Sequence, residues 1–413
     1  MPPRPRAAVL TAPLRAPAPS PGVPCVAMTV HIGSGLSTGG DARGAAAEAA
    51  LEARAGLDGP ADLAVVFVAG SHVDAAEAVL GGVHEALAPG ALVGCGAGGV
   101  LGGRREVESG PAVAVWAASL GDGSAQTFHA AAEEVPGGIA ITGLPDLAGA
   151  AGAILIPDPY TFPTDAVLQE LAERAPGVPV VGGMASAGAA GAATLLLHGE
   201  EILSGGAVGV RFDGVELLPC VSQGAAPFGP ELTITAGEGQ VIAELAGKPA
   251  LEKLREVILA LPPDQRELVA RGPLLGVVID GGKPEYVQGD FLVRGLVGAD
   301  PEEGTIAVGA LVRPGQVVRL HARDADSADR DLREALHLRR TALGGAAPAG
   351  ALVFTCNGRG RAMFGTSDHD AEAIGDELGD IPQAGFFAAG EIGPVGGESF
   401  LHGFTATVGV FAA

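Results

Sequence analysis

Apolar and polar positions change period repeatedly along this chain, and the order of the changes repeats. "ADLAVVFVAG" (61–70) is a continuous aliphatic run, which predicts a strand buried on both faces. "HVDAAEAVLGGVHEAL" after it has helical spacing. "ALVGCGAGGVLGGRREVESGPAVAVWAASL" (91–120) then returns as strand, glycine loop and strand. The same order follows in "AGAILIPDPY" (151–160), the helical "TDAVLQELAERA", "PVVGGMASAG" and the closing strand "LSGGAVGVRF" (203–212). It occurs a third time as "ALVFTCNGRG" (351–360), the helical "DHDAEAIGDEL", "PQAGFFAAGEIGPVGG" and "LHGFTATVGVF". Three glycine segments, "VGCGAGGVLGG", "VGGMASAGAAG" and "AGFFAAGEIGPVGG", fall at equivalent places, which points to duplication of one supersecondary unit. The expected fold is α/β with mixed sheets, in two related halves built from repeated strand–helix–strand–Gly-loop–strand units.

Between the second and third copies the pattern differs. "ELTITAGEGQVIAELAG" (231–247) predicts a hairpin with Gly237 and Gly239 in its turn. A helix "ALEKLREVILAL" follows, then the strands "LLGVVID", "FLVRGLVG", "TIAVGALV" and "QVVRLHARD". A second helix, "DSADRDLREALHLRRTAL", has Ser327 as its expected cap. The boundary between halves is placed at 247, giving 28–247 and 248–413. Residues 1–27 are rich in Pro, Ala and Arg and are expected to be disordered, so the fold begins at Met28.

Composition narrows the function. With 25 basic against 48 acidic residues the net charge is −23, so a phosphate backbone is repelled and a nucleic-acid partner is not expected. No run of about 20 apolar residues occurs, so no membrane span is expected. Cys25, Cys95, Cys220 and Cys356 are scattered with no CxxC pair, which argues against a disulfide framework or a zinc knuckle and for a cytoplasmic setting.

The motifs carry little obvious catalysis. "GCGAGG" (94–99) fits GxGxxG after a strand, but no helix opens at its third glycine to receive a pyrophosphate. "GMASAG" (183–188) misses GxSxG because Met184 stands at the first glycine of the elbow. "SDHDAE" (367–372) reads better as a capped helix start, with Ser367 or Asp368 as cap, than as a metal site. No metal or cofactor is expected. "TCNGRGRAMFG" (355–365) is the most informative loop, because it leaves the C-terminal end of a predicted parallel strand, where open α/β sheets bind ligands. Asn357 tolerates left-handed geometry, Gly358 and Gly360 admit close backbone approach, and Arg359 and Arg361 offer planar forks to a carboxylate. The competing reading is a tight turn with solvent-facing arginines. Cys356 is either a small core residue or a thiol served by its loop, with His369, His402 or Glu391 as acid/base partner.

Taken together, "LVFTCNGRGRAMFG", "DHDAEAI", "AGFFAAGEIGPVGGESFLHGFTATVGVF" and the earlier "VGCGAGGVLGGRREVESGPAVAVWAASL" resemble the FIST family. This is a sensory domain shared by bacterial signalling proteins and a eukaryotic F-box protein. The family motif maps onto Cys356, Asn357, Gly358 and Arg359, onto Gly390, Glu391, Gly393 and Pro394, and onto Gly403, Phe404 and Thr405. The resemblance implies an α/β domain with an N-terminal FIST and a C-terminal FIST_C half that senses a small ligand, amino acids being the usual proposal. No kinase, cyclase or chemoreceptor module accompanies the motifs in this sequence, so a partner is expected to relay the signal. In the resulting picture Cys356, Asn357, Gly358, Arg359, Arg361, Gly390, Glu391 and Gly393 surround an amino acid or similar carboxylate. Arg359 or Arg361 takes the carboxylate and Glu391 the amine. The alternatives are an enzyme using Cys356 with His402 or Glu391, and a protein-interaction scaffold.

Overall fold

The computed structural model describes residues 29–188, 194–279, 281–283, 286 and 289–413. The expected disordered segment 1–27 and the Met28 start lie outside the described residues. In each of the three sequence repeats an aliphatic strand is followed by a helix and a parallel second strand, then by a short hairpin and an antiparallel closing strand. The first strands are Leu63–Ala69, Gly152–Pro157 and Gly350–Cys356. Their parallel partners are Ala91–Ala97, Val180–Gly183 and Gln383–Ala388. Their antiparallel partners are Ala112–Ser119, Ala207–Asp213 and Thr405–Phe411. A lead strand flanks each closing strand: His31–Ser37, Ser124–Val135 and Leu217–Gln223.

The hairpins tie the units into a ring. Val100–Gly102 of the first unit pairs with Gln383–Ala388 of the third. Leu196–His198 of the second pairs with Ala91–Ala97 of the first, and Glu391–Val395 of the third pairs with Val180–Gly183 of the second. Each hairpin therefore covers a sheet edge that would otherwise offer unpaired N–H and C=O groups. The inner faces of the three sheets share one core, with Phe67, Trp116, Ile154, Phe212, Phe354, Phe386 and Phe411 among its members. Outside lie the helices Ala42–Arg54 and Ala76–Leu87 on the first sheet, Thr164–Arg174 on the second, and Ala325–Ala342 and His369–Leu378 on the third.

One glycine in each repeat marks the ring in the sequence. Gly94, Gly182 and Gly385 stand opposite Val66, Leu155 and Val353 in the three parallel ladders. A Cβ added to them would lie 2.0, 1.9 and 1.8 Å from the carbonyl oxygens of those partners, closer than any side chain can sit. The glycine segments are thus explained first by backbone crossing backbone. Gly390 and Gly393 have similar reasons, since added Cβ atoms would come within 2.5 Å of Met184 and of Val221.

The third unit is interrupted after Leu217–Gln223 by an inserted sheet that runs from Ala225 to Arg323, with its own core around Ile234, Leu245, Leu254, Ile306 and Leu320. The expected hairpin forms between Ala225–Glu238 and Val241–Leu245, with Gly239 in its turn at φ +61° and Gly237 in the ladder opposite Ile242. The chain is therefore α/β with mixed sheets, as the pattern of repeats predicts. Two caps differ from expectation. Asp324, not Ser327, caps Ala325–Ala342 by accepting from the Ser327 amide. Helix His369–Leu378 has no side-chain cap of its own at Asp368. Glu106 of the first unit's hairpin supplies one, accepting from the Asp370 and Ala371 amides at 2.9 and 3.0 Å.

Candidate functional site

Cys356 ends the first strand of the third unit, half-buried, with the Gly358 amide 3.5 Å from its sulfur. Glu391 opens the hairpin and is fully buried. Its Oε2 accepts from the Thr405 amide at 3.0 Å and from the Thr405 hydroxyl at 2.8 Å. Its Oε1 has no hydrogen-bond partner of normal geometry among the described residues, and the Cys356 thiol lies close to the carboxyl. Burial pushes the Glu391 carboxyl up to about 8, against the opposing pull of Thr405. Burial, and then Glu391 itself, push the Cys356 thiol up to about 12. At neutral pH the pair is protonated on both members.

The three units act as internal controls for this cluster. Three residues beyond Val66, Leu155 and Val353 stand Ala69, Asp158 and Cys356. At the hairpin position Val100, Leu196 and Glu391 are equivalent, and opposite Ala69, Asp158 and Cys356 on the closing side stand Ala112, Gly206 and Thr405. The first unit fills the trio with Ala69, Val100 and Ala112, all buried and apolar. The fold therefore does not require Cys356, Glu391 and Thr405 to be polar. A local departure from what the architecture asks for is characteristic of functional positions.

Arg359 is not free to take a ligand carboxylate. It is 1% exposed, and its Nε and Nη2 donate to both oxygens of Asp370 at 2.7 and 2.9 Å. Burial works against both charges, but Arg359 foremost, with help from His369 and Thr355, holds the Asp370 carboxyl well below the usual carboxylate range. Nη1 of Arg359 is buried without a partner among the described residues. Arg361 is exposed on another side of the loop, in an open groove with Thr38, Arg105, Glu108 and Ser367, where its amide donates to Glu108. Asn357 is exposed, and its amide donates to the Ala388 carbonyl. His402 faces Glu391 across the hairpin ladder, but its Nε2 bonds to the Gly393 carbonyl at 2.9 Å. Burial lowers the His402 imidazole to about 4, so the ring is neutral. No contact joins it to Cys356 among the described residues.

Sequence reasoning missed Arg323 and the backbone of Phe404. Phe404 adopts φ +66°, a left-handed conformation that is rare for a bulky side chain and that marks sites held under strain. Its carbonyl accepts from the Gly224 amide at 2.7 Å, and the Arg323 guanidinium stacks on its ring at 4.3 Å from the centroid. Arg323 also lies beside Gly358 and draws the Cys356 thiol pKa downward. It comes from the last strand of the insertion, so nothing local in the sequence ties it to the "CNGRG" loop. Beside it opens a cleft of about 630 Å³ between the insertion and the third unit. The insertion contributes Leu268, Arg271, Gly272, Pro273, Leu274, Gly295, Leu296 and Arg323; the loop contributes Gly358, Ala362 and Met363, and the following helix Asp324–Asp326. Among the described residues no acidic side chain pairs with Arg323. Stacking holds its plane while leaving the donor edge available for a carboxylate.

Three units in a ring, an inserted sheet and a polar cluster at one strand end make up the architecture around the candidate site. The profile of the FIST N domain matches residues 62–248 and that of the FIST C domain residues 250–394. The chain belongs to the FIST family, whose domains are generally sensory, small-ligand-binding domains of signal transduction. It is 48% identical over 385 residues to the uncharacterized protein Rv0628c of Mycobacterium tuberculosis, covering 92% of this chain and 100% of that one. It is 45% identical over 384 residues to the uncharacterized protein Mb0898c of Mycobacterium bovis, covering 92% and 99%. Among the described residues no helix is long and apolar enough to cross a membrane.

Proposed function

We propose that this chain is a cytoplasmic sensor that binds an amino acid or similar small carboxylate in the cleft beside Cys356 and passes its occupancy to a partner protein. The observation that carries this reading is Arg323, stacked on the strained Phe404 at the cleft wall with no acid to pair it. The carboxylate role expected of Arg359 falls to Arg323, because Arg359 is taken by Asp370. Gly358 forms the wall, with Cys356 and Glu391 behind it. The amine role read for Glu391 rests on its buried carboxyl, whose Oε1 has no hydrogen bond of normal geometry among the described residues. The enzyme reading has less support. A thiol raised to about 12, beside an acid and without an imidazole, lacks the base that nucleophilic cysteines need.

Thermal unfolding against an amino-acid panel tests the proposal. A ligand at 100 times its Kd adds about 2.7 kcal/mol to stability. Arg323→Gln should abolish the effect and Arg361→Gln should leave it intact. A flat response across the panel would sink the reading.

A further inference from the structure

We infer that the cleft is built for a carboxylate carried on an apolar body larger than a free amino acid, as at a peptide carboxyl terminus or in an N-acyl amino acid. The inference rests on the proposed role of Arg323 and specifies the ligand class for that same site.

Size is the first reason. A volume of about 630 Å³ lies within the range of about 300–1,000 Å³ that holds drug-sized ligands. A small amino acid held at Arg323 would leave most of that space to water. The second reason is the distribution of chemistry. Arg323 lies on the cleft lining beside Gly358 and against the Phe404 ring, whereas Leu274, Leu296 and Met363 add apolar surface to the same lining. Asp324 is spent on capping its helix through the Ser327 amide, Asp326 stands in the first turn of that helix, and Arg271 makes an exposed pair with Glu267. A cationic fork with no acidic partner among the described residues, on the same lining as Leu274, Leu296 and Met363, suits an anionic head on an apolar tail. Third, Gly272 and Gly295 line the cleft with open space where their Cβ atoms would be, so the site presents bare backbone and unfilled volume together.

Calorimetric titration of the full chain with four probes tests the inference: leucine, the tripeptide Leu-Leu-Leu, N-octanoyl-leucine, and the tripeptide as its carboxamide. The tripeptide or the acyl amino acid should bind at least tenfold more tightly than leucine, and the carboxamide at least tenfold more weakly than the free acid. Whichever of the two larger probes binds better identifies the source of the ligand. Gly295→Leu adds bulk at a lining position whose Cβ would meet nothing within 4 Å and should remove the advantage of the larger probes while sparing leucine. The wild-type comparison decides the question even if that variant folds poorly. Leucine binding as tightly as the larger probes overturns this inference and leaves the amino-acid reading standing. Equal binding of acid and carboxamide, or no binding by any probe, overturns both.

Discussion

Replacing Glu391 with glutamine keeps the shape of the side chain and removes only its proton equilibrium. In the folded protein the carboxyl is fully buried and titrates near 8, against 4.5 for the free side chain. The folded state therefore retains a proton that the unfolded chain releases from about pH 4.5 upward. Stability falls with rising pH wherever the folded state binds more protons, here at up to about 1.4 kcal/mol per pH unit. Across the window from about pH 4.5 to 8 the ionised form accumulates a penalty of about 5 kcal/mol in order of magnitude. Glu391→Gln escapes it, since an amide oxygen can still accept from both Thr405 donors. The two proteins should be nearly equal in stability at pH 5, and the variant should be the more stable by several kcal/mol at pH 8.5. Urea unfolding of both at a series of pH values measures this, and the difference between the curves cancels the titration of distant groups. Parallel curves would show that Glu391 titrates normally, and the account of a buried neutral acid would fail.

The three strict glycines make a second test. Gly94→Ala, Gly182→Ala and Gly385→Ala each place a methyl within 2.0 Å of a backbone carbonyl oxygen and should each cost about 3 kcal/mol or more. Gly40→Ala, which meets nothing within 4 Å, should stay within about 0.5 kcal/mol in the same denaturation assay. Asp370→Asn strands the Arg359 charge in the interior and should cost about 3–5 kcal/mol by chemical denaturation, whereas a surface pair such as Arg174–Glu170 should be worth less than about 1 kcal/mol. Iodoacetamide at pH 7 should modify Cys356 far more slowly than a free peptide thiol, because burial and Glu391 disfavour its thiolate. Mass spectrometry showing rapid modification there would restore the nucleophile reading.

The repeat was legible in the sequence because it is written in local terms. Strand, helix and glycine signals depend on near neighbours, and Gly94, Gly182 and Gly385 stand in three matching segments. Glu391 could be singled out for the same reason, since the glycine segments of the other two copies carry no acid until after their glycines. Arg359 shows where local reasoning stops. Its fork suited a ligand carboxylate, but Asp370, eleven residues on, already occupies it. The helix cap failed likewise, because Glu106 arrives from a unit more than 260 residues away in the chain.

By itself, then, the amino-acid sequence determined the main strands and helices of the repeat, its threefold recurrence and the polar character of Cys356, Glu391 and Thr405. Periodicity and backbone sterics are properties of short segments. Only the tertiary structure decided that the hairpins exchange around a ring, that Arg359 pairs with Asp370, and that Arg323 meets Phe404 beside an open cleft. Those outcomes depend on which distant segments satisfy one another's edges and charges, and burial ties each buried charge to the nearest partner the ring supplies.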